Sequence, residues 1–328
     1  NSADRALMAS EQVWVVAACF NEEAVITRFI ERVLVVPGVD HLVLIDDGSR
    51  DATVQQIRDF MTQRRSQGLL VPVTLLELTR NFGKEAAMLA GLDHVRERCA
   101  AAVLIDSDLQ HPPELIEAMV AEWRAGAEVV SAVRDDRDQE SRLKVLSASW
   151  FYRVFNKMVD SIQLREGAGD QLILLDAAAV KAITSMRESS RFFKGLMPWT
   201  GYRAVALPYQ RVKREAGSTS WSPLKLFGYA IDGIFSFSVL PLRVWTGLGL
   251  MVSSFSLLYA FVIALRTLLF GRDVPGYASL MGAVLFLGGI QLIGIGVLGD
   301  YIGRIYIDVK RRPHYFVRAV HQGSELLR

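Results

Sequence analysis

The 328-residue chain has only two cysteines, Cys19 and Cys99, and they stand at no metal-ligand spacing. A disulfide framework and a cysteine zinc site are both excluded, and the thiols read as small buried apolar residues in a reducing compartment. Ten prolines and 25 glycines are too few for a collagen-like chain. A net charge of +2 supplies no basic excess, so no nucleic-acid partner is expected. No Gly-rich phosphate loop of the P-loop or dinucleotide type follows a strand in the first two thirds, which argues against an NTPase or a dehydrogenase. Nor does a positively charged leader with an apolar core precede that region, so its export is not expected. An apolar content of 51% excludes disorder.

What the chain does have is two long uncharged runs in its last third, Val244–Leu265 and Val274–Gly299. Each exceeds the roughly 20 apolar residues that a helix needs to cross a bilayer. Buried core helices would be the soluble alternative, but two such runs joined only by Arg266–Asp273 favour a transmembrane hairpin. Arg243 precedes the first run, and Arg304, Lys310, Arg311, Arg312 and Arg318 follow the second, against Arg266 and Arg272 in the link. By the positive-inside rule both termini are expected in the cytoplasm, with the protein multi-pass in the inner (cytoplasmic) membrane. The spans hold no ionisable group to line a path, which argues against a channel or flippase. Gly288-Gly289 and Gly294-x-Gly296 suit close helix packing, so a homo-oligomer is expected. Between the parts, Pro223–Leu240 is apolar and aromatic and reads as one or two helices at the membrane surface, with ordinary packing beneath the soluble domain as the alternative.

Residues 13 to 133 alternate short apolar runs with helical patterns. Strands are expected at 13–18, 42–46, 73–78, 101–106 and 128–133, with helices at 22–35, 51–64, 85–98 and 113–125. This alternation implies a mostly parallel α/β sheet covered on both faces. Ligands bind such sheets beyond the carboxyl ends of the strands. Two acid motifs sit there: IDDGS, with Asp46 and Asp47, and LIDSDLQ, with Asp106 and Asp108. Neighbouring carboxylates repel unless a cation is shared between them. Mg²⁺, which takes one or two carboxylates plus phosphate oxygens, would supply that charge together with a nucleoside diphosphate.

These motifs, with Asn21-Glu22-Glu23, RNFGKEAAMLAG (80–91), HPPELI (111–116), GAGD (167–170), DGIFSFSVLPLR (232–243) and LGDYIGRIYIDVKRRPHYFV (298–317), carry a resemblance. The chain resembles the polyisoprenyl-phosphate glycosyltransferases of glycosyltransferase family two, especially the bactoprenol glucosyltransferase branch. The resemblance covers about residues 12 to 320. It implies a GT-A (Rossmann-like) cytoplasmic domain over 1–215, interfacial amphipathic helices over 216–241, two transmembrane helices over 242–300 and a basic cytoplasmic tail over 301–328.

The same resemblance implies site roles. Asp46 or Asp47, with Asp47 preferred, would hold the nucleoside. Asp106, Asp108 and Gln110 would hold Mg²⁺ or Mn²⁺ against the diphosphate, where the metal is a Lewis acid for the departing UDP. Asp170 aligns with the acid often taken as a base. A lipid phosphate is already ionised, so an orienting role is expected for Asp170, and catalysis is expected to be positioning and charge stabilisation. Arg134 and the cluster Arg211, Lys213 and Arg214 are the expected partners of the acceptor phosphate, although such a cluster also attracts anionic headgroups. Lys84 either closes over the donor or caps a helix. Two departures from the family pattern stand out: Gln171-Leu172-Ile173 after GAGD, and Ser220 before Trp221 where a lysine is usual.

The expected function is inverting transfer of one sugar, glucose by branch resemblance, from a UDP-sugar to polyprenyl (undecaprenyl) phosphate at the bilayer. N-acetylglucosamine, galactose or a modified pentose would contradict none of these residues. A non-catalytic membrane scaffold would be expected to lack the metal acids, which are present. A processive synthase would be expected to carry more spans and a Q-x-x-R-W motif; neither occurs.

Overall fold

The computed structural model describes residues 11–134, 172–188, 193–209, 238, 240–270 and 276–323. Strands β1 (Val13–Cys19), β2 (His41–Asp46), β3 (Val73–Leu78) and β4 (Ala101–Asp106) alternate with helices α1 (Ile26–Leu34), α2 (Thr53–Ser66) and α3 (Lys84–Val95). Next come α4 (Leu115–Arg124), β5 (Val129–Arg134), β6 (Ile173–Asp176), α5 (Ala177–Ser185), α6 (Phe193–Trp199) and β7 (Ala204–Tyr209). Two long helices follow, α7 (Leu240–Phe270) and α8 (Tyr277–Val309), and then β8 (Val317–Gln322).

The eight strands form one sheet in the order β7-β5-β6-β4-β1-β2-β3-β8. β4, β1, β2 and β3 are mutually parallel, while β6 and β8 run antiparallel to their neighbours. The expected mostly parallel GT-A-like sheet is what is found. Every residue of β2 and of β3 is buried, as strands covered on both faces must be. Alternate side chains feed two cores. Val13, Val15 and Ala17 meet α1, α2 and α4 on one face, and Val16, Val43 and Ile45 meet α3 and α5 on the other. α3 lies close enough that a Cβ on Gly91 would collide with Val16 and Ile45. Cys19 and Cys99 are buried in these cores, and burial pushes the Cys99 thiol up to about 12.

α1 begins at Ile26 rather than near Glu22, because Glu22 and Glu23 are held in a turn. The Glu22 amide donates to Thr53 Oγ1 at 2.8 Å, and Glu23 accepts from the Ala52 amide at 2.9 Å. The larger difference lies at the far end of the chain. Residues after the second long helix do not remain a basic tail: residues 317–322 pair with β3 as an edge strand. Val, Ala, Val and His at alternating exposure fit that edge, and the β3 amides there find partners they would otherwise lack.

α7 and α8 hold the stretches long and apolar enough to cross a membrane, Val244–Ile263 and Phe286–Val309. Leu250, Phe255, Tyr259, Phe261, Val284, Phe286, Leu292 and Ile295 are all exposed on them. Core helices of a soluble protein would bury such residues. At 1.5 Å per residue, each helix is about 45–50 Å long, more than a hydrocarbon core of about 30 Å. They meet at Gly294, where a Cβ would strike the Trp245 indole. Because β8 belongs to the same sheet as β1–β7, the two helices are an excursion that leaves one domain and returns to it.

Candidate active site

The carboxyl ends of β4, β1 and β2 lie side by side, with Ala18 opposite Asp106 and Cys19 opposite Asp46. The two acid motifs therefore flank the end of β1. Asp46 is buried and accepts from the amides of Gly48 and Ser49 at 3.1 Å through Oδ2. Asp47 is equally buried and accepts from the amides of Phe82 at 2.7 Å and Gly83 at 2.9 Å. Burial raises both carboxyls above their ordinary range, and these amide bonds oppose it. Gly48 sits at φ +73°, and a Cβ there would come within 2.7 Å of the Arg80–Asn81 backbone. The β2 turn thus packs directly onto the loop 79–83.

The turn after β1 is laced to the same structure. The Asn21 amide donates to Ser49 Oγ at 3.0 Å, and Asn21 Oδ1 accepts from the Arg50 amide at 2.9 Å. Asn21 adopts φ +55°, a left-handed conformation that asparagine tolerates better than most residues.

At the end of β4 the chemistry is more open. Lys84 Nζ, at the start of α3, lies 2.5 Å from Asp106 Oδ1. Asp108 accepts from the Gln110 amide at 3.0 Å and from Gln110 Nε2 at 2.5 Å. Ser107 Oγ donates to the Ala18 carbonyl at 3.0 Å, tying this turn back to β1. Leu109 is buried at φ +57°, so apolar packing holds a non-glycine residue left-handed between Asp108 and Gln110. Strain of this kind, about 1–3 kcal/mol, collects where a turn must aim its side chains. Beyond it, His111 Nδ1 and Tyr209 Oη lie 2.8 Å apart in the interior.

Among the described residues no three His, Cys, Asp or Glu side chains come together to cage a metal. Asp106 and Asp108 offer hard oxygen ligands, which fits a cation shared with substrate phosphates rather than one enclosed by protein. A cation, the Lys84 ammonium, already stands against Asp106. Gln110, expected in the metal's shell, here holds Asp108 in position.

A cleft of ≈ 430 Å³ opens beside these ends. Asp46, Gly48, Ser49 and Arg50 line one wall, and Glu77, Leu78, Thr79, Arg80 and Asn81 another. Phe20 and Val54 add apolar surface, and Arg318 of β8 completes the lining. Arg80 lies 4.1 Å over the Phe82 ring.

The structure therefore brings together Asp46, Asp47, Lys84, Asp106, Asp108 and Gln110 at one edge of the sheet. Arg134 is the last residue of β5 and pairs with Tyr209 of β7. Asp170, Arg211, Lys213 and Arg214 lie outside the described residues, as do Gln171 and Ser220. Sequence reasoning missed the cleft arginines. Arg80 lies inside RNFGKEAAMLAG with no signal of its own, and Arg318 reads in the sequence as one more charge flanking a span. The glycine and asparagine turns were visible, but the partner of each turn was not.

Residues 14–174 match the model of Glycosyl transferase family 2, and residues 240–305 match that of the GtrB C-terminal hairpin. The chain is 44% identical to an SfII prophage-derived bactoprenol glucosyl transferase of Shigella flexneri, over 95% of this chain and 99% of that one. It is 42% identical to a prophage bactoprenol glucosyl transferase homolog of Escherichia coli K12, over 94% and 99%. An uncharacterized glycosyltransferase of Synechocystis is 43% identical over 90% of each chain. Among solved structures, a Mycobacterium tuberculosis glucosyl-3-phosphoglycerate synthase in complex with Mn²⁺, UDP-glucose and phosphoglyceric acid aligns at 19% identity and TM-score 0.44, over 70% and 80%.

Proposed function

Because the chain belongs to the family 2 glycosyltransferases that carry a GtrB-type hairpin, we propose that it transfers one glucose from UDP-glucose to polyprenyl phosphate at the cytoplasmic face of the membrane. The observation that carries this reading is the pair of acid motifs flanking β1, with the cleft beside them on the same sheet edge. Relatives named bactoprenol glucosyl transferase at 42–44% identity support both glucose and the lipid acceptor.

The nucleoside of the donor occupies the cleft, walled by the turn at Asp46 and the loop at Arg80. Its diphosphate lies towards β4. Asp106 and Asp108 would hold a divalent cation, Mg²⁺ or Mn²⁺, which when bound supplies neutralising charge for the departing UDP. Lys84 neutralises Asp106 until that cation takes its place. The acceptor phosphate is a ready nucleophile: its oxygen forms the new bond to the anomeric carbon as the bond to UDP breaks. One displacement inverts the centre, so an α-linked donor yields a β-linked lipid. Arg134 and the cluster Arg211, Lys213 and Arg214 are assigned to the acceptor phosphate, and Asp170 to orienting the sugar or acceptor. The protein's task is alignment and charge stabilisation rather than proton removal.

The hairpin brings the reaction to the bilayer. β8 returns to the domain's own sheet, which supports an even number of crossings with both flanks on one side. The arginines and lysine around Lys310 support the cytoplasm as that side. Among the described residues a Cβ built on Gly288, Gly289 or Gly296 would meet nothing within 4 Å, which leaves room for a second copy against the hairpin. Crosslinking that recovers only monomer in mild detergent would refute that oligomer.

The test is incubation of the purified protein with undecaprenyl phosphate and a panel of UDP-sugars, with Mg²⁺ or Mn²⁺ and with EDTA. A single glucosylated lipid read by mass, absent in EDTA, is expected. A product from N-acetylglucosamine, galactose or a pentose alone would overturn the choice of sugar. UDP binding without any product would overturn the transferase reading.

A further inference from the structure

The strand that follows the membrane hairpin does more than finish the sheet. β8 is fastened to β3 by a ladder from Thr74–Gln322 to Leu78–Val317. Arg58 and His321 converge on Glu77 Oε1 at 2.5 and 2.7 Å, and Arg65 donates to the Gln322 carbonyl at 3.1 Å. Just ahead of the strand, Tyr315 Oη donates to Asp93 at 2.8 Å, and the Phe316 ring packs 6.3 Å from that of Phe82. These anchors come from α2, α3, β3 and the loop 79–83, so the strand has little freedom to shift.

The anchoring delivers Arg318 to the cleft. Its Nη2 donates to the Thr79 carbonyl at 2.8 Å, and the side chain lines the cleft with Asp46, Arg50 and Arg80. A guanidinium carries five N–H donors in one plane. Engaging one of them with Thr79 fixes that plane while the others remain to meet a ligand. The cleft lies at the ends of β2 and β3, two to three strand spacings of about 4.8 Å from the acids of β4. A diphosphate held at β4 therefore directs its nucleoside towards β3 and β8.

We propose that Arg318 is a nucleoside-binding residue of the donor site, donating to oxygen acceptors on the base or ribose, so that the site is complete only once the chain has returned from the membrane. This rests on the nucleoside-diphosphate reading above. It makes the post-hairpin strand part of substrate recognition as well as of the fold.

The test uses the full-length protein in detergent, with UDP and UMP titrated by calorimetry and UDP-glucose kinetics run in parallel. Arg318→Gln is expected to weaken UDP and UMP by the same factor, about tenfold. KM for UDP-glucose should rise with kcat little changed. Arg318→Lys, which keeps the charge and loses the fork, should recover part of the loss. Arg65→Gln, which removes only the contact at Gln322 and leaves the ladder and the anchors nearer Arg318 in place, should leave nucleotide affinity unchanged. Equal losses in Arg65→Gln and Arg318→Gln would overturn the proposal by making β8 only a structural support. Loss for UDP but not UMP would overturn the nucleoside assignment. Unchanged affinity in Arg318→Gln would overturn this inference alone. A wild-type protein that binds no nucleoside diphosphate would overturn the functional reading and this one with it.

Discussion

The two acid motifs look alike in sequence and are built differently. Asp46 and Asp47 are each about 3% exposed, and four backbone amides, those of Gly48, Ser49, Phe82 and Gly83, point at them. Asp106 keeps 23% of its side chain exposed and meets a lysine, and Asp108 is held by the Gln110 amide and side chain. Backbone amides cannot leave, whereas a lysine on a half-exposed helix start can. The first pair is thus fixed in place beside the cleft, while Asp106 meets a partly exposed lysine, which is the arrangement the proposed exchange for a divalent cation requires. Periodicity and strand ends alone do not separate the two pairs; their different expected roles come from the family resemblance.

The sharpest way to break this contrast is Asp108→Asn. Removing a ligand to the cation should cost several kcal/mol of transition-state stabilisation, about a thousandfold in lipid glucosylation, with the fold intact by circular dichroism. Full activity in this variant would end the metal assignment.

The buried half of the sheet has its own pH signature. His41, on the strand that ends in Asp46, is lowered to about 4, chiefly by burial and then by the charges of His94 and Arg98. An unfolded histidine titrates near 6.5, so above that pH neither state binds the proton. As pH falls from 6.5 to about 4, only the unfolded chain takes it up, and stability declines by up to about 3 kcal/mol. His41→Gln should flatten that decline in thermal melts between pH 7.5 and 4.5. An unaltered slope would show that His41 is not its source.

Asp47→Ala leaves the Phe82 and Gly83 amides without their acceptor and should cost about 1–3 kcal/mol of stability. Because the loop 79–83 walls the cleft, KM for the donor should rise more than kcat falls. A variant with wild-type melting temperature would show that the two amide bonds contribute little. The smallest effect is expected from Lys84→Gln. An exposed ion pair contributes about 1 kcal/mol at most, so freeing Asp106 should tighten Mn²⁺ binding without donor by about fivefold or less. Weaker Mn²⁺ binding would mean that Lys84 orients the site rather than competing for it.

Much of the fold was legible. The expected strands at 73–78 and 101–106 are the observed β3 and β4, because continuous apolar runs between turn residues fit little besides buried parallel strands. The long helices were legible for the same reason, since uncharged runs of that length are rare outside membranes. β8 was not. VRAVHQ is short, partly charged and separated from its partner β3 by more than 230 residues, so neither periodicity nor propensity could announce the pairing. The site divides in the same way. Acids at strand ends could be read directly, while Lys84 on Asp106 and Arg318 in the cleft depend on tertiary approach. The amides that hold Asp47 belong to a loop 35 residues away.

The most direct test of the contrast between the two acid pairs is Mn²⁺ binding, followed by electron paramagnetic resonance with UDP present. The wild type would be compared with Asp46→Asn/Asp47→Asn and Asp106→Asn/Asp108→Asn. The expected result is loss of bound Mn²⁺ in the β4-end variant and its retention, with weaker UDP, in the β2-end variant. Retention of Mn²⁺ by Asp106→Asn/Asp108→Asn, or its loss only in Asp46→Asn/Asp47→Asn, would contradict the account.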